Sequence, residues 1–97
     1  MPRYRLQYEA AYLDDLRTLL RAYDLPLITR AVLILADQAE VPSRNRRPLT
    51  APISWCPTAT WQQRVEGYRV LYRVEADSVF VLRVRFKGSK SSEEMGP

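Results

Sequence analysis

The residues best suited to chemistry in this chain are its arginines. Thirteen of the 15 basic residues are arginine, histidine is absent, and there is one cysteine, Cys56. Arginine meets phosphate with a planar, bidentate fork, whereas lysine acts as a flexible point charge. The positive charge is uneven. Residues 1–40 carry a net −1 and residues 41–97 a net +5, so the second part holds all of the excess. Such a surplus favours polyanionic partners, nucleic acid foremost. The missing histidine excludes Ser-His-Asp and Cys-His nucleophilic arrangements and any imidazole acid or base. With one cysteine, an internal disulfide is excluded, and with no histidine either, a zinc site is not expected. Three glycines make no phosphate loop or dinucleotide motif. Any catalysis must use Arg, Lys, Tyr, Asp, Glu or a hydroxyl, with no metal and no cofactor expected.

Elements of regular structure must position these groups. The 97 residues, 46% of them hydrophobic, suffice for one small domain with a single core. The longest apolar run, 31–36, is far short of the ~20 residues a membrane helix needs. No apolar segment follows the basic N-terminus, so neither a signal peptide nor a membrane partner is expected, and the reading is cytoplasmic. Arg3 to Tyr8 alternates polar and apolar residues, which predicts a strand with one buried face. From Glu9 to Tyr23 the period becomes helical, with Leu13, Leu16 and Leu20 on one stripe and Asp14, Asp15, Arg17 and Arg21 opposite. Asp24-Leu25-Pro26 restarts the chain, with Asp24 as the expected cap of a second helix over 26–39. Leu27, Ile28, Ala31, Val32 and Leu35 form its apolar face. A long proline-rich loop over 42–60, with a short strand available near Ile53 to Cys56, is of the kind that often carries function. Three strands follow, at Trp61–Val65, Tyr68–Val74 and Val79–Phe86. The fold class is therefore α+β: a two-helix hairpin packed on one face of a mainly antiparallel four-stranded sheet, in the order β-α-α-β-β-β. Residues 1–88 form the domain and 89–97 a flexible polar tail.

Register decides which arginines meet. A two-residue turn at Glu66-Gly67 sets Arg64 opposite Arg69, Gln63 opposite Val70 and Trp61 opposite Tyr72. The apolar faces then agree across the next hairpin if its loop is Ala76-Asp77-Ser78, pairing Val74 with Phe80, Leu71 with Arg83 and Arg69 with Arg85. Arg64, Arg69 and Arg85 would form a row across three strands. Like charges directly opposite on a sheet are destabilising, so the row is better explained by a bound polyanion than by stability. The plainer alternative is a set of surface arginines splayed apart or paired with Glu75, Glu93 or Glu94. The same register sends Tyr68, Tyr72 and Trp61 to the core rather than to stacked bases, leaves Trp55 in the loop as the freer aromatic, and makes Cys56 structural.

The run Trp61-x-x-Arg64-Val65-x-Gly67-Tyr68-Arg69-Val70-Leu71-Tyr72-Arg73-Val74, followed by Val79-Phe80-Val81-Leu82-Arg83-Val84, resembles the C-terminal half of the RelE/ParE toxins of bacterial type II toxin–antitoxin modules. The family's element order matches the reading over nearly the whole chain. The resemblance implies a cognate antitoxin protein as partner and one of two activities. RelE-like members cut mRNA on the ribosome without metal; ParE-like members inhibit DNA gyrase.

For RNA cleavage, a base must take the ribose 2′-OH proton and cations must stabilise the crowded phosphorus centre. Arg69 matches the arginine that RelE-like ribonucleases place at the phosphate, and Lys87 lies where a second basic residue follows the last strand. These two are the expected catalytic residues. Arg64 and Arg85, by register, and Arg46, Arg47 and Lys90, by charge, are the expected RNA-binding set. The sequence departs from the family after the last strand, where a His or Tyr is usual, and at Gln62 and Gln63, where some members carry lysine. Glu93, Glu94 or a lysine of lowered pKa is left as the base. The departure keeps two alternatives open, a non-enzymatic gyrase inhibitor and an inactive toxin homologue.

Overall fold

The computed structural model describes residues 3–19 and 24–86. Five strands and two helices follow one another: β1 (Arg5–Tyr8), α1 (Ala10–Leu19), α2 (Leu25–Gln38), β2 (Arg46–Pro48), β3 (Trp61–Val65), β4 (Tyr68–Glu75) and β5 (Ser78–Phe86). They form one sheet in the order β1-β5-β4-β3-β2. β1 runs parallel to β5 and the other pairs are antiparallel. The expected α+β order is present, with one more strand than expected. The extra strand is β2, three residues inside the stretch read as loop, too short and proline-bearing for alternation to show in sequence.

The helices cover one face of the sheet. Ile28, Val32 and Leu35 of α2 and Tyr12 of α1 meet Val70, Tyr72, Val79, Val81 and Val84 in the main core. Trp61 stacks on Tyr72 with ring centroids 6.1 Å apart, and the buried Tyr72 hydroxyl donates to the carbonyl of Ala39 at 2.6 Å. α1 is rotated from its expected setting. Asp15 is buried and Leu13 is 42% exposed, because the Asp15 carboxylate is drawn inward by β5. Its Oδ2 accepts from the backbone N–H of Val84 at 3.0 Å, and the two oxygens accept from Arg83 at 2.8 and 3.1 Å. β1 pairs with β5 only as far as Val81. Asp15 thus satisfies an edge donor that β1 does not reach. Asp24 does not cap α2 with its side chain; its Oδ2 accepts instead from the Tyr68 hydroxyl at 2.7 Å.

The β3–β4 register is the expected one at every position, from Trp61 opposite Tyr72 to Val65 opposite Tyr68. The β4–β5 hairpin differs. Its loop has two residues, Ala76-Asp77, and Val74 pairs with Val79 rather than Phe80. Ala76 takes a positive φ of 52° in this turn. A bulge between Leu71 and Tyr72 then leaves Leu82 as the extra residue, which restores Leu71 opposite Arg83 and Arg69 opposite Arg85. Val79, Val81 and Val84 therefore face the helices, while Phe80 and Leu82 face away.

The far face is half covered. The segment 49–60 folds over it and buries Ile53, Cys56 and Ala59 against Leu71 and Leu82. Cys56 is structural, and burial pushes its thiol pKa up. Ile53–Cys56 is a hydrogen-bonded turn closed by Cys56 N–H to Ile53 O at 3.0 Å, with a single bridge in place of a strand. The other half of this face carries the arginines.

Candidate nucleic-acid interface

β3, β4 and β5 bring Arg64, Arg69 and Arg85 into one line, each directly opposite the next. All three side chains lie on the face away from the helices, because Gln63, Val70 and Val84 beside them face inward. Arg69, in the middle, is only 5% exposed. Its Nη1 donates to the carbonyl of Tyr68 at 3.4 Å, a long bond. No carboxylate among the described residues forms an ion pair with Arg69 or Arg64. Arg73 pairs with Glu75 and Arg83 with Asp15, so those two are held by the fold. The pKa of Arg69 is lowered, first by burial and then by the charges of Arg64 and Arg47. An anion bound beside Arg69 would relieve both the burial of its charge and the repulsion from its neighbours.

A shallow basin opens beside it, lined by Arg44, Asn45, Arg47, Gln62, Arg64 and Arg69. The backbone builds this wall. Arg64 N–H donates to the carbonyl of Asn45 at 2.6 Å, fixing residues 44–45 against β3, and Arg47 pairs with Gln62. An adjoining hollow adds Glu66 to Arg44, Asn45 and Arg64. Arg44, Asn45 and Gln62 were not among the expected site residues. The β2–β3 pairing, which alone places Arg44 and Asn45 there, has no sequence signal of its own, whereas Gln62 faces the basin by the β3–β4 register that sets it opposite Leu71.

Arg46 and Arg47 separate. Arg47 joins the basic face. Arg46 pairs with Gln63 on the helix side, where it is buried and donates to Gln63 Oε1 at 2.8 Å, Val41 O at 2.9 Å and Gln38 Oε1 at 3.5 Å. It closes the core under β2 and lies on the opposite side of the sheet from the arginine row, where it is held by the fold. Lys87, Lys90, Glu93 and Glu94 lie outside the described residues. The tyrosines are occupied as expected, with the Tyr68 and Tyr72 hydroxyls both donating inside the domain. Trp55, at the tip of the Ile53–Cys56 turn, lies beside the row with the Arg85 guanidinium 4.8 Å from its ring and that of Arg83 at 5.7 Å. Among the described residues there is no cluster of His, Cys, Asp or Glu able to hold a metal ion. No described helix is long and apolar enough to cross a membrane.

No protein-family model matches the sequence, and no curated protein is significantly similar to it. Solved structures do match. The archaeal RelE–RelB complex from Pyrococcus horikoshii OT3 aligns with a TM-score of 0.69 at 16% identity, over 90% of this chain and 98% of that one. The toxin–antitoxin complex RelBE2 from Mycobacterium tuberculosis aligns at 0.57 and 28% identity, over 90% of this chain and 100% of that one. The chromosomal ParDE system of P. aeruginosa aligns at 0.62 and 15% identity, over 88% and 97%. The element order, the sheet and the near-complete coverage agree, and the fold of this chain is that of the RelE/ParE toxins.

Proposed function

We propose that this chain is the toxin of a type II toxin–antitoxin module and that it inhibits translation by cutting mRNA on the ribosome. The observation that carries the reading is Arg69, a buried guanidinium with no carboxylate partner among the described residues, set between Arg64 and Arg85 on the face away from the helices. In this reading the scissile phosphate sits on Arg69. Removal of the 2′-OH proton lets that oxygen attack phosphorus, and the 5′-oxygen of the next nucleotide leaves with a proton, giving a 2′,3′-cyclic phosphate and a 5′-hydroxyl end. Arg69 stabilises the added negative charge of the phosphorane, and being already desolvated it needs little reorganisation. Arg64 and Arg47 hold flanking phosphates, and Arg85 contacts the RNA on the other side. Lys87 is the proposed second cation. The partner that holds such a toxin in check is an antitoxin, as in the RelE–RelB and RelBE2 complexes that share the fold.

A second reading is a non-enzymatic inhibitor of DNA gyrase. It is favoured by one observation: the hydroxyls of Tyr68 and Tyr72 are held inside the domain, and histidine is absent, so the described part of the site has no ready proton acceptor of neutral pKa. Primer extension on a defined mRNA in a reconstituted translation reaction separates the two. New 5′ ends inside translated codons, dependent on ribosomes and lost in Arg69→Ala, are expected. Intact mRNA at high protein concentration, with gyrase supercoiling inhibited in a parallel assay, would overturn the ribonuclease reading.

A further inference from the structure

Trp55 stands out from the rest of the far face. Its two neighbours in the turn pin it: Ile53 and Cys56 are both buried against Leu71 and Leu82. Its indole is thus a fixed surface, although it sits at a loop tip. One strand beyond Arg69 lies Arg85, whose guanidinium is over that indole at 4.8 Å. Arg83, also near the ring at 5.7 Å, is clamped by both oxygens of Asp15. The segment 49–60 therefore does more than bury Leu71 and Leu82. It ends the arginine row with an aromatic plane.

We propose that Trp55, together with the Arg85 guanidinium stacked on it, is a nucleobase platform that receives the base adjoining the phosphate on Arg69. This rests on the RNA reading above and adds a base-contacting site to it. Arginine planes and aromatic rings both stack on unpaired bases and tolerate any sequence. The arrangement suits a single-stranded ligand: Arg64 and Arg69 take its phosphates and the Trp55–Arg85 pair takes a π-face. An inorganic polyanion would use the first part of the site and not the second.

The chain has two tryptophans, and Trp61 stacks inside the core. In a Trp61→Phe background, fluorescence therefore reports Trp55. The probes are 2′-O-methyl hexa-adenylate, which lacks the attacking hydroxyl and stays intact, and inorganic tripolyphosphate. The oligonucleotide is expected to quench Trp55, and Trp55→Leu, which keeps apolar volume in the turn, is expected to weaken its binding about tenfold. Tripolyphosphate is expected to bind both forms equally. Circular dichroism checks the fold of Trp55→Leu, and the quenching test needs no change at Trp55. Salt-dependent oligonucleotide binding without quenching, and of equal strength in Trp55→Leu, would overturn the platform and leave the RNA reading standing. No oligonucleotide binding at all would likewise overturn the platform, and the primer-extension assay decides the RNA reading separately.

Discussion

If Arg69 is placed for a ligand rather than for the fold, removing its charge should stabilise the protein. The perturbation is Arg69→Met, which keeps a long unbranched stem in the sheet and deletes the guanidinium. Arg69 faces Arg64 on one side and Arg85 on the other, and the charges of Arg64 and Arg47 act on it most strongly. Each like-charge pair directly opposite on a sheet costs roughly 0.2–1 kcal/mol. The exposed Arg64 is screened by solvent, which puts its share at the low end. The hydrogen bond lost among the described residues is long, 3.4 Å to Tyr68 O. The net expectation is a gain of about 1 kcal/mol, or roughly 4–8 °C in the melting midpoint of a domain this size. Thermal melts followed by circular dichroism test it at low and high salt. Salt should raise wild type more than Arg69→Met and so shrink the difference. Tripolyphosphate should raise the midpoint of wild type and leave the variant nearly unmoved, since only a folded state with a site gains from the ligand. Toxicity or mRNA cleavage should be lost in the more stable variant. A variant that melts several degrees below wild type, with no difference in salt response, would refute the reasoning and make Arg69 a structural residue.

Arg46 should behave in the opposite way. Arg46→Met strands the Gln63 and Val41 acceptors under β2, which should cost about 2–4 kcal/mol and be read as a lower urea midpoint. Tripolyphosphate binding per folded molecule should be unchanged. At alkaline pH the folded Tyr12, whose pKa burial pushes up to about 12, must bind its proton more tightly than the unfolded chain does near 10. Its contribution is fully present below pH 10 and is lost as pH rises from 10 to 12, with Tyr72 shifted the same way by its own burial. Urea midpoints across that window should fall in wild type and fall less in Tyr12→Phe.

The arginine row was legible because β3 and β4 obey simple rules. Glu66-Gly67 fixes a two-residue turn, and only one face of β3–β4 near that turn is apolar, so alternation sets the register. Two further features were not legible, each for a physical reason. Arg46 and Arg47 are adjacent and chemically identical, and only the pairing of a three-residue edge strand sends them to opposite faces. The Asp15–Arg83 bond joins residues 68 apart, and a helical wheel puts Asp15 with its charged neighbours. The RelE/ParE fold likewise follows from residues that set strand order and turns, while the base-contacting role assigned to Trp55 depends on a loop that has no period to read.

The β5 register shows where alternation itself fails, and it yields a sharp test. Residues 79–82, Val-Phe-Val-Leu, are apolar without interruption, because helices cover one face there and the segment 49–60 covers the other. A strand buried on both faces carries no period-two signal. Alternation therefore pointed to a three-residue loop, and the two-residue loop with a bulge gives the same pairs from Leu71–Arg83 onward. The chain takes the second, with Leu82 as the supernumerary residue. Deleting Leu82 should then remove the bulge and keep every other pair, including Arg69 opposite Arg85. The loss should be limited to one buried leucine side chain, about 2–4 kcal/mol, with salt-dependent tripolyphosphate binding kept within about threefold, a change under 1 kcal/mol. Deleting Val81 has no such escape: it removes a paired core residue and forces Leu82 into the helix-facing position. Urea denaturation of the two deletions side by side checks this. If the Leu82 deletion unfolds as completely as the Val81 deletion, the bulge is holding the β4–β5 twist that aligns the row, and Leu82 is no spare residue.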